Sequence, residues 1–226
     1  MSTRKGGVSP EPFGMNASFS VGDTTANVTV NRRRFLDALG IPSDRLAIPQ
    51  QCHSATVRNV KTAGVYELCD ALMTNVCNVV LSVIVADCAP VFLFDAEKKA
   101  VACVHAGWRG TGQQILLKTI RSMQLEFGSN PEDIYAFIGP SAGQCCYEVG
   151  EDVSQNFDDE FLSCRNGKTY LDIKRANKEQ LRTAGVPISN TEVHRDCTIC
   201  GQEWYHSYRR DREKSGRMMA IIGLNQ

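Results

Sequence analysis

Histidine and cysteine side chains at three places in this chain could together hold a metal ion. His53 and His105 end segments predicted as β-strands, and Cys88 follows a third such segment. Imidazole nitrogen and thiolate sulfur suit zinc, and the same donor set suits copper. Three protein ligands leave one tetrahedral position open for a reactant, which is typical of catalytic rather than structural zinc. The plainer interpretation, that each is an ordinary packed side chain, stays open on residue type alone.

The spacing around Cys88 and His105 adds a geometric reason. Two apolar runs flank the polar turn 96–99, which predicts a β-hairpin. Pairing Asp95 with Ala100 across this turn places Cys88 two residues from the partner of His105, or about 7 Å along the strand. The two side chains would then meet over one end of a sheet, with His53 as the third ligand.

Basic residues at two places in the chain could bind an anion. The glycine-rich stretch 107–112 precedes a predicted helix, so free backbone N–H groups and Arg109 could hold a phosphate there. Arg209 and Arg210 are adjacent fork-shaped donors suited to phosphate or carboxylate. The alternatives are a simple tight turn and a surface ion-pair cluster. The stretch also lacks the lysine ending of a P-loop.

Two further cysteine pairs have more than one interpretation. Cys197 and Cys200 form a CxxC motif, which occurs in zinc and redox sites. No second CxxC lies at zinc-ribbon spacing, and no βαβ pattern indicates a thioredoxin fold. Packing or loop geometry is therefore the favoured interpretation. The adjacent pair Cys145 and Cys146 is interpreted as structural.

The elements that must position these residues indicate an α+β fold. We predict strands at 46–53, 55–60, 79–86, 91–94, 100–104, 134–138 and 217–224, the first two as a pair. We predict helices at 28–39, 149–157 and 172–184, and one with an apolar face of Leu116, Ile120, Met123 and Phe127. The strands occur in groups with helices between them, so mixed sheets are expected rather than regular βαβ alternation.

Composition narrows the classes of function. The 226 residues suit one domain, 1–226, and 25 basic residues balance 25 acidic ones. This balance does not favour nucleic acid or an anionic membrane as a partner. We find no signal-peptide pattern and no apolar run long enough to span a bilayer. Several cysteines lie in apolar runs as free thiols, so we expect a cytoplasmic, reducing location.

Seven motifs closely resemble those of one bacterial family and run in order along nearly the whole chain. They are Thr3–Ser9 (TRKGGVS), Gln51–Ser54 (QCHS), Ala86–Val91 (ADCAPV), His105–Gly110 (HAGWRG), Cys145–Gly150 (CCYEVG), Cys197–Cys200 (CTIC) and Ser207–Asp211 (SYRRD). The family is the laccase-domain or polyphenol-oxidase family, also known as the YfiH-type purine nucleoside phosphorylases.

This resemblance implies a fold, a metal and an activity. The implied fold is a single α+β domain with two mixed β-sheets packed together and flanked by helices. The implied metal, usually zinc, is bound by the residues matching His53, Cys88 and His105. The implied activities are phosphorolysis of adenosine, inosine and methylthioadenosine, with adenosine deamination. The alternative is copper-dependent oxidation of phenols, although four histidines are too few for a multi-copper cluster and a separate electron-entry site.

The site residues follow from both lines of reasoning. Cys88 and Arg209 are candidate catalytic residues, with Cys88 favoured as a metal ligand, and Arg109 and Arg210 are candidate substrate-binding residues. The expected substrates are a purine nucleoside with phosphate, or phenolics in the copper alternative. Asp87 would either orient a ligand histidine or cap a turn.

Overall fold

A computed structural model describes residues 1–225 of the protein. The α-helices are α1 (Thr25–Asp37), α2 (Trp108–Gly112), α3 (Ile115–Phe127), α4 (Glu151–Ser154), α5 (Ile173–Thr183) and α6 (Tyr208–Asp211). The β-strands are β1 (Leu46–Pro49), β2 (Val57–Asn59), β3 (Gly64–Tyr66), β4 (Ala71–Thr74), β5 (Val80–Val85), β6 (Ala89–Asp95), β7 (Ala100–Ala106), β8 (Ile134–Ile138), β9 (Glu148–Val149), β10 (Leu162–Arg165), β11 (Lys168–Leu171), β12 (Thr191–Val193) and β13 (Met218–Gly223).

Two mixed β-sheets pack against each other. One has the strand order β12-β8-β6-β7-β4-β2 and the other β13-β5-β1-β3. Each combines parallel and antiparallel pairs. Apolar side chains from both sheets are fully buried between them, including Leu81, Val83, Cys103 and Met218. The predicted α+β fold with two packed mixed sheets is confirmed.

Helices cover the outer faces of the two sheets. Helices α3 and α5 pack on the six-stranded sheet, and Leu36 of α1 packs on the four-stranded sheet. The apolar face predicted for α3 is confirmed, since Leu116, Ile120 and Met123 are fully buried. Gly128 ends α3 with a φ of 68°, a left-handed conformation that favours glycine.

The predicted hairpin has the expected register. Strands β6 and β7 are antiparallel, with Asp95 opposite Ala100 and Pro90 opposite His105. Every residue of β7 is buried, because the strand lies centrally in its sheet between β6 and β4. The hairpin therefore fixes the positions of Cys88 and His105 relative to each other.

A third, small sheet did not follow from the sequence. It is antiparallel, with the order β10-β11-β9, and its strands are short and partly polar. Its apolar side chains form a separate cluster with Phe161 and Leu171, against which Trp108 and Tyr147 pack. This sheet thereby helps to position Trp108 and Tyr147 beside the centre described below.

Three predictions about local structure were wrong in detail. The proposed strand pair 46–53 and 55–60 is not a pair, because β1 joins β3 and β5 whereas β2 joins β4 in the other sheet. The residues between them form the loop that carries His53. The helix predicted at 149–157 shortens to α4. The glycine-rich stretch 107–112 is itself mostly helical, as α2.

None of the helices within residues 1–225 is both long and apolar enough to cross a membrane. The extent 1–226 proposed for the single domain stays a prediction, and residue 226 lies outside the described part of the chain.

Candidate metal centre

Side chains from three separate segments converge at one end of the sheets. His53 follows β1, Cys88 lies between β5 and β6, and His105 lies near the end of β7. One donor atom from each lies within 4.8 Å of the other two, and the imidazole centroids are 5.0 Å apart. His53 is exposed, Cys88 is half-buried and His105 is buried, so one side of the group faces solvent.

One buried carboxylate holds the side chain of His105 and the backbone of His53. Asp70 Oδ1 lies 2.8 Å from His105 Nδ1, which leaves Nε2 of His105 as the nitrogen available for a metal. The same carboxylate accepts hydrogen bonds from the backbone N–H groups of Cys52, His53 and Ser54, at 3.2, 3.0 and 2.7 Å. Asp70 thus holds both the His105 ring and the loop that carries His53.

The backbone of His53 is in a strained conformation. Its φ is 59°, in the left-handed region that residues other than glycine rarely occupy. The hydrogen bond from the His53 N–H to Asp70 stabilises this conformation. Strained backbone of this kind occurs often at functional sites, where surrounding contacts compensate for its energetic cost.

Gly107 permits the close approach of the chain to the thiol. A Cβ atom at this position would lie 2.9 Å from Cys88 Sγ and 3.5 Å from His53 Cδ2. The first distance is shorter than a carbon–sulfur contact allows, so a side chain here would displace Cys88. Glycine is therefore required before α2 because the backbone packs directly against Cys88. The spacing of residues in the sequence does not reveal this requirement.

Electrostatics favour the thiolate form of Cys88. Burial alone would raise the pKa of this thiol, but the neighbouring His105 and His53 outweigh it and lower the pKa to about 6. Burial would lower the pKa of His105, but Cys88 and Asp70 raise it to about 9. Burial opposes ionisation of Asp70 as well, yet hydrogen bonds from His105 and Ser54 hold its pKa well below the usual range. The thiolate is the form of cysteine that binds metals.

Asp87 has a different role from the one considered first. Its carboxylate accepts hydrogen bonds from the Thr198 hydroxyl and from the Arg209 backbone N–H, at 2.5 and 2.8 Å. It therefore fixes the segment that carries Arg209. The residue that orients His105 is Asp70, which the sequence did not indicate because β4, which follows it directly, was not predicted.

Two clefts open onto the three side chains. The larger, of about 710 Å³, is lined by Ser18, Phe19, Ser20, Arg32, Ile48, Pro49, Gln50, Gln51, His53, Ile84, Ala86, Cys88, His105, Tyr208, Glu213 and Arg217. The smaller, of about 290 Å³, is lined by His53, Ala86, Asp87, Cys88, Trp108, Arg109, Tyr147, Ile173, Tyr208, Arg209 and Arg212. His53 and Cys88 line both clefts, so the centre lies where the two meet.

The predicted arginines divide into two groups. Arg109 and Arg209 line the smaller cleft, joined there by Arg212, which the sequence analysis did not single out. The guanidinium of Arg210 points elsewhere. It donates hydrogen bonds to the backbone carbonyls of Thr198, Ile199 and Tyr205 and pairs with Asp211. A substrate-binding role for Arg210 stays a prediction, whereas its described contacts stabilise a loop.

These features define a class of protein: an α+β fold with a candidate His₂Cys metal centre between two clefts. The donor set fits a borderline metal ion, because two imidazoles and a thiolate converge and a carboxylate orients one imidazole. Residues 1–225 match the family described as multi-copper polyphenol oxidoreductase laccase. The chain belongs to this family.

Three relatives show how the chain compares with named proteins. It is 35% identical over 245 residues to "Purine nucleoside phosphorylase YlmD" of Geobacillus stearothermophilus, covering 100% of this chain and 89% of the relative. It is 38% identical to a purine nucleoside phosphorylase of Deinococcus radiodurans, covering 98% and 87%. It is 32% identical to "Adenosine deaminase RL5" from an unknown prokaryotic organism, covering 92% and 86%. The crystal structure of Geobacillus YlmD superposes with a TM-score of 0.93, covering 99% of this chain and 90% of that one.

Proposed function

We propose that the protein is a metal-dependent purine nucleoside phosphorylase that also deaminates adenosine. The observation that carries this proposal is the position of His53, Cys88 and His105 between a larger cleft and a smaller, basic one. The names of the relatives, purine nucleoside phosphorylase and adenosine deaminase, support the same class of substrate.

The proposed metal is zinc, held by His53, Cys88 and His105. The ion would supply a Lewis acid beside the substrate. Asp70 keeps the His105 ring and the His53 loop in place, so that their nitrogens stay directed at one point. Because His53 is exposed and both clefts reach the group, a substrate could approach it without rearrangement of the core.

The smaller cleft is suited to phosphate. In phosphorolysis a phosphate oxygen forms a bond to C1′ of the ribose, the C1′–N9 bond breaks, and the purine leaves with a proton. Arg109, Arg209 and Arg212 line this cleft, and guanidinium groups bind phosphate through paired hydrogen bonds. The Asp87 carboxylate accepts a hydrogen bond from the backbone N–H of Arg209 and so fixes the backbone position of this arginine.

The larger cleft is suited to the nucleoside. Its volume of about 710 Å³ lies within the range of small-molecule sites. Phe19 and Tyr208 offer aromatic surfaces for a purine, while Gln50 and Glu213 offer polar groups for its edges or for the ribose. In deamination, water would form a bond to C6 of the same bound base, and the amino group would leave as ammonia.

Copper-dependent oxidation of phenols is the alternative that the family description raises. Reduction of oxygen to water takes four electrons, which a histidine-rich copper cluster normally handles. Of the four histidines, only His53 and His105 belong to the potential metal-binding groups among residues 1–225. We therefore favour zinc and purine chemistry over oxidation.

The two functions are separated by loading metal-free protein with zinc or with copper. Each form is assayed with inosine plus phosphate and with a phenolic dye. We expect zinc-dependent, phosphate-dependent release of hypoxanthine that Cys88→Ala abolishes and Cys164→Ala, at an exposed cysteine elsewhere, retains. Dye oxidation by the copper form alone, without base release by the zinc form, would refute the proposal.

A further inference from the structure

Four cysteines form a second cluster apart from the candidate centre. The Sγ atoms of Cys145, Cys146, Cys197 and Cys200 all lie within 4.8 Å of one another. Cys200 Sγ is 3.5 Å from Cys145 Sγ and 3.0 Å from Cys146 Sγ. The CxxC motif thus meets the adjacent cysteine pair, and the two pairs together supply four thiols.

The backbone brings these two pairs together through specific contacts. A parallel bridge joins Ser141 to Cys197, and the Thr198 N–H donates to the Ser141 carbonyl at 3.0 Å. A Cβ atom at Gly143 would lie 2.9 Å from Cys197 Cβ and 3.3 Å from Cys197 Sγ. Only glycine lets the first loop approach the second so closely.

The sulfur spacing fits a metal ion better than a disulfide. A disulfide needs its sulfurs at about 2.05 Å, well below the spacing seen here. Four thiolates around one zinc ion, each about 2.3 Å from it, lie about 3.8 Å apart along the edges of a tetrahedron. The distances of 3.0 and 3.5 Å reach this value after shifts of less than an ångström.

Backbone N–H groups already point at one of the sulfurs. The Gly143 N–H donates to Cys197 Sγ at 3.2 Å, and the N–H groups of Ile199 and Cys200 are directed at the same atom. Hydrogen bonds of this kind stabilise a thiolate over a thiol.

A buried cation, Lys174, lies near the four cysteines. The Lys174 side chain is 8% exposed, and its ammonium group donates to the carbonyls of His194 and Asp196 at 2.8 and 2.6 Å. The negative charges that act on this ammonium group come from Cys197 and Cys145 as well as from the carboxylates of Asp172 and Asp196. A divalent ion with four thiolates carries a net charge of −2, which would offset this cation.

We propose that Cys145, Cys146, Cys197 and Cys200 bind one zinc ion in a closed, structural site. Four protein sulfurs fill the tetrahedral shell, so no position remains for a reactant. Binding displaces the thiol protons to solvent and involves no change of oxidation state. The site would link the loop before Tyr147 to the loop that Arg210 holds through Thr198 and Ile199.

The metal content of purified variants tests this site. The protein is prepared under reducing conditions without chelator, and zinc is measured by mass spectrometry. We expect two zinc ions per chain in the unaltered protein, and one in Cys200→Ser and in Cys146→Ser. The matched control Cys164→Ser, at an exposed cysteine outside the cluster, keeps both ions.

The variant His53→Ala separates this proposal from the proposed function. It should lose the ion of the His₂Cys centre and keep the ion of the cysteine cluster. Cys200→Ser should also unfold roughly 5–15 °C lower, because a structural ion stabilises only the folded state. Zinc content unchanged by both Cys200→Ser and Cys146→Ser would overturn the proposal.

Thiol alkylation supplies a readout that does not require the variants to fold. In the native, zinc-loaded protein the four cysteines should resist alkylation, and they should react after zinc is removed by a chelator. Equal reactivity before and after chelation would contradict the proposal. Detection of a disulfide between Cys146 and Cys200 in the reduced preparation, or of iron instead of zinc, would also overturn it.

Discussion

At the scale of single residues, Asp70 has the most connections in the candidate centre. It lies next to none of the proposed ligands in sequence, yet it contacts His105 and the backbone of the His53 loop. It is fully buried, and the hydrogen bonds together with the charge of His105 compensate its own charge. The geometry of the proposed metal site therefore depends on a residue that is not itself a ligand.

Replacement of this carboxylate should weaken metal binding. We expect Asp70→Asn to reduce zinc affinity at the His₂Cys centre by roughly 10–100-fold, because partners that orient ligands contribute to affinity on this scale. Competition titration with a chromophoric chelator measures the effect. Asp133→Asn, at an exposed carboxylate elsewhere, is the control. Unchanged zinc affinity in a folded Asp70→Asn protein would refute this role.

Gly107 provides a test of close packing at the centre. We expect Gly107→Ala to lower zinc occupancy at the His₂Cys centre, since the new methyl group would press on Cys88 Sγ. Gly112→Ala, at the other end of the short helix that Gly107 precedes, is the matched control, because a Cβ there meets Asn156 Cβ at an ordinary 3.5 Å. If metal content in both variants equals that of the unaltered protein, Gly107 does not limit the position of the thiol.

At the scale of elements, local patterns predicted the central hairpin and the helix after it. Strand β6, the turn and β7 follow from short-range pairing, so Asp95 and Ala100 were matched correctly. Helix α3 follows from its apolar face. Strands β1 and β2 were paired wrongly, because each finds its partners among distant segments. Such long-range partners leave no periodic signal in a single sequence.

Helix α3 should make a large contribution to the stability of the six-stranded sheet. We expect Leu116→Ala to lower the free energy of unfolding by about 2–5 kcal/mol, because Leu116 is fully buried. In the same helix, Leu125 is 87% exposed, and Leu125→Ala should change the free energy of unfolding by less than about 0.5 kcal/mol. Denaturant unfolding of both variants measures the difference. Equal effects would contradict the packing described here.

At the scale of the whole molecule, the candidate site joins segments far apart in the chain. The sequence indicated His53, Cys88, His105 and the arginines, because their residue types suit metals and anions. It did not indicate Asp70, Gly107 or the contact between the two cysteine pairs. These depend on how the sheets and the loops of 141–146 and 197–200 pack in three dimensions.

A buried histidine also affects how the stability of the whole molecule varies with pH. Burial, together with Arg4 and Arg217, lowers the pKa of His206 to about 4, and neither ring nitrogen has a hydrogen-bond partner among the described residues. The folded state thus favours the neutral ring, while the unfolded chain takes up a proton near its ordinary pKa of about 6.5. The contribution of His206 to the free energy of unfolding is therefore fully present above about pH 6.5. It is lost as the pH falls towards about 4.

We expect the free energy of unfolding to fall by up to about 3 kcal/mol across this range through His206. His206→Gln should make the pH dependence shallower between about pH 6.5 and 4. His194→Gln, at a partly exposed histidine, is the comparison variant. Urea unfolding at several pH values gives the slopes. The same slope in His206→Gln as in the unaltered protein would refute this assignment.

The central claim is that one metal ion joins His53, Cys88 and His105 and retains an open position. Anomalous diffraction at the zinc absorption edge from crystals of the zinc-loaded protein measures this directly. We expect a peak about 2.0–2.3 Å from one nitrogen of each imidazole and from Cys88 Sγ, with no fourth protein ligand. No peak among these three side chains, or a fourth side chain closing the coordination shell, would contradict it.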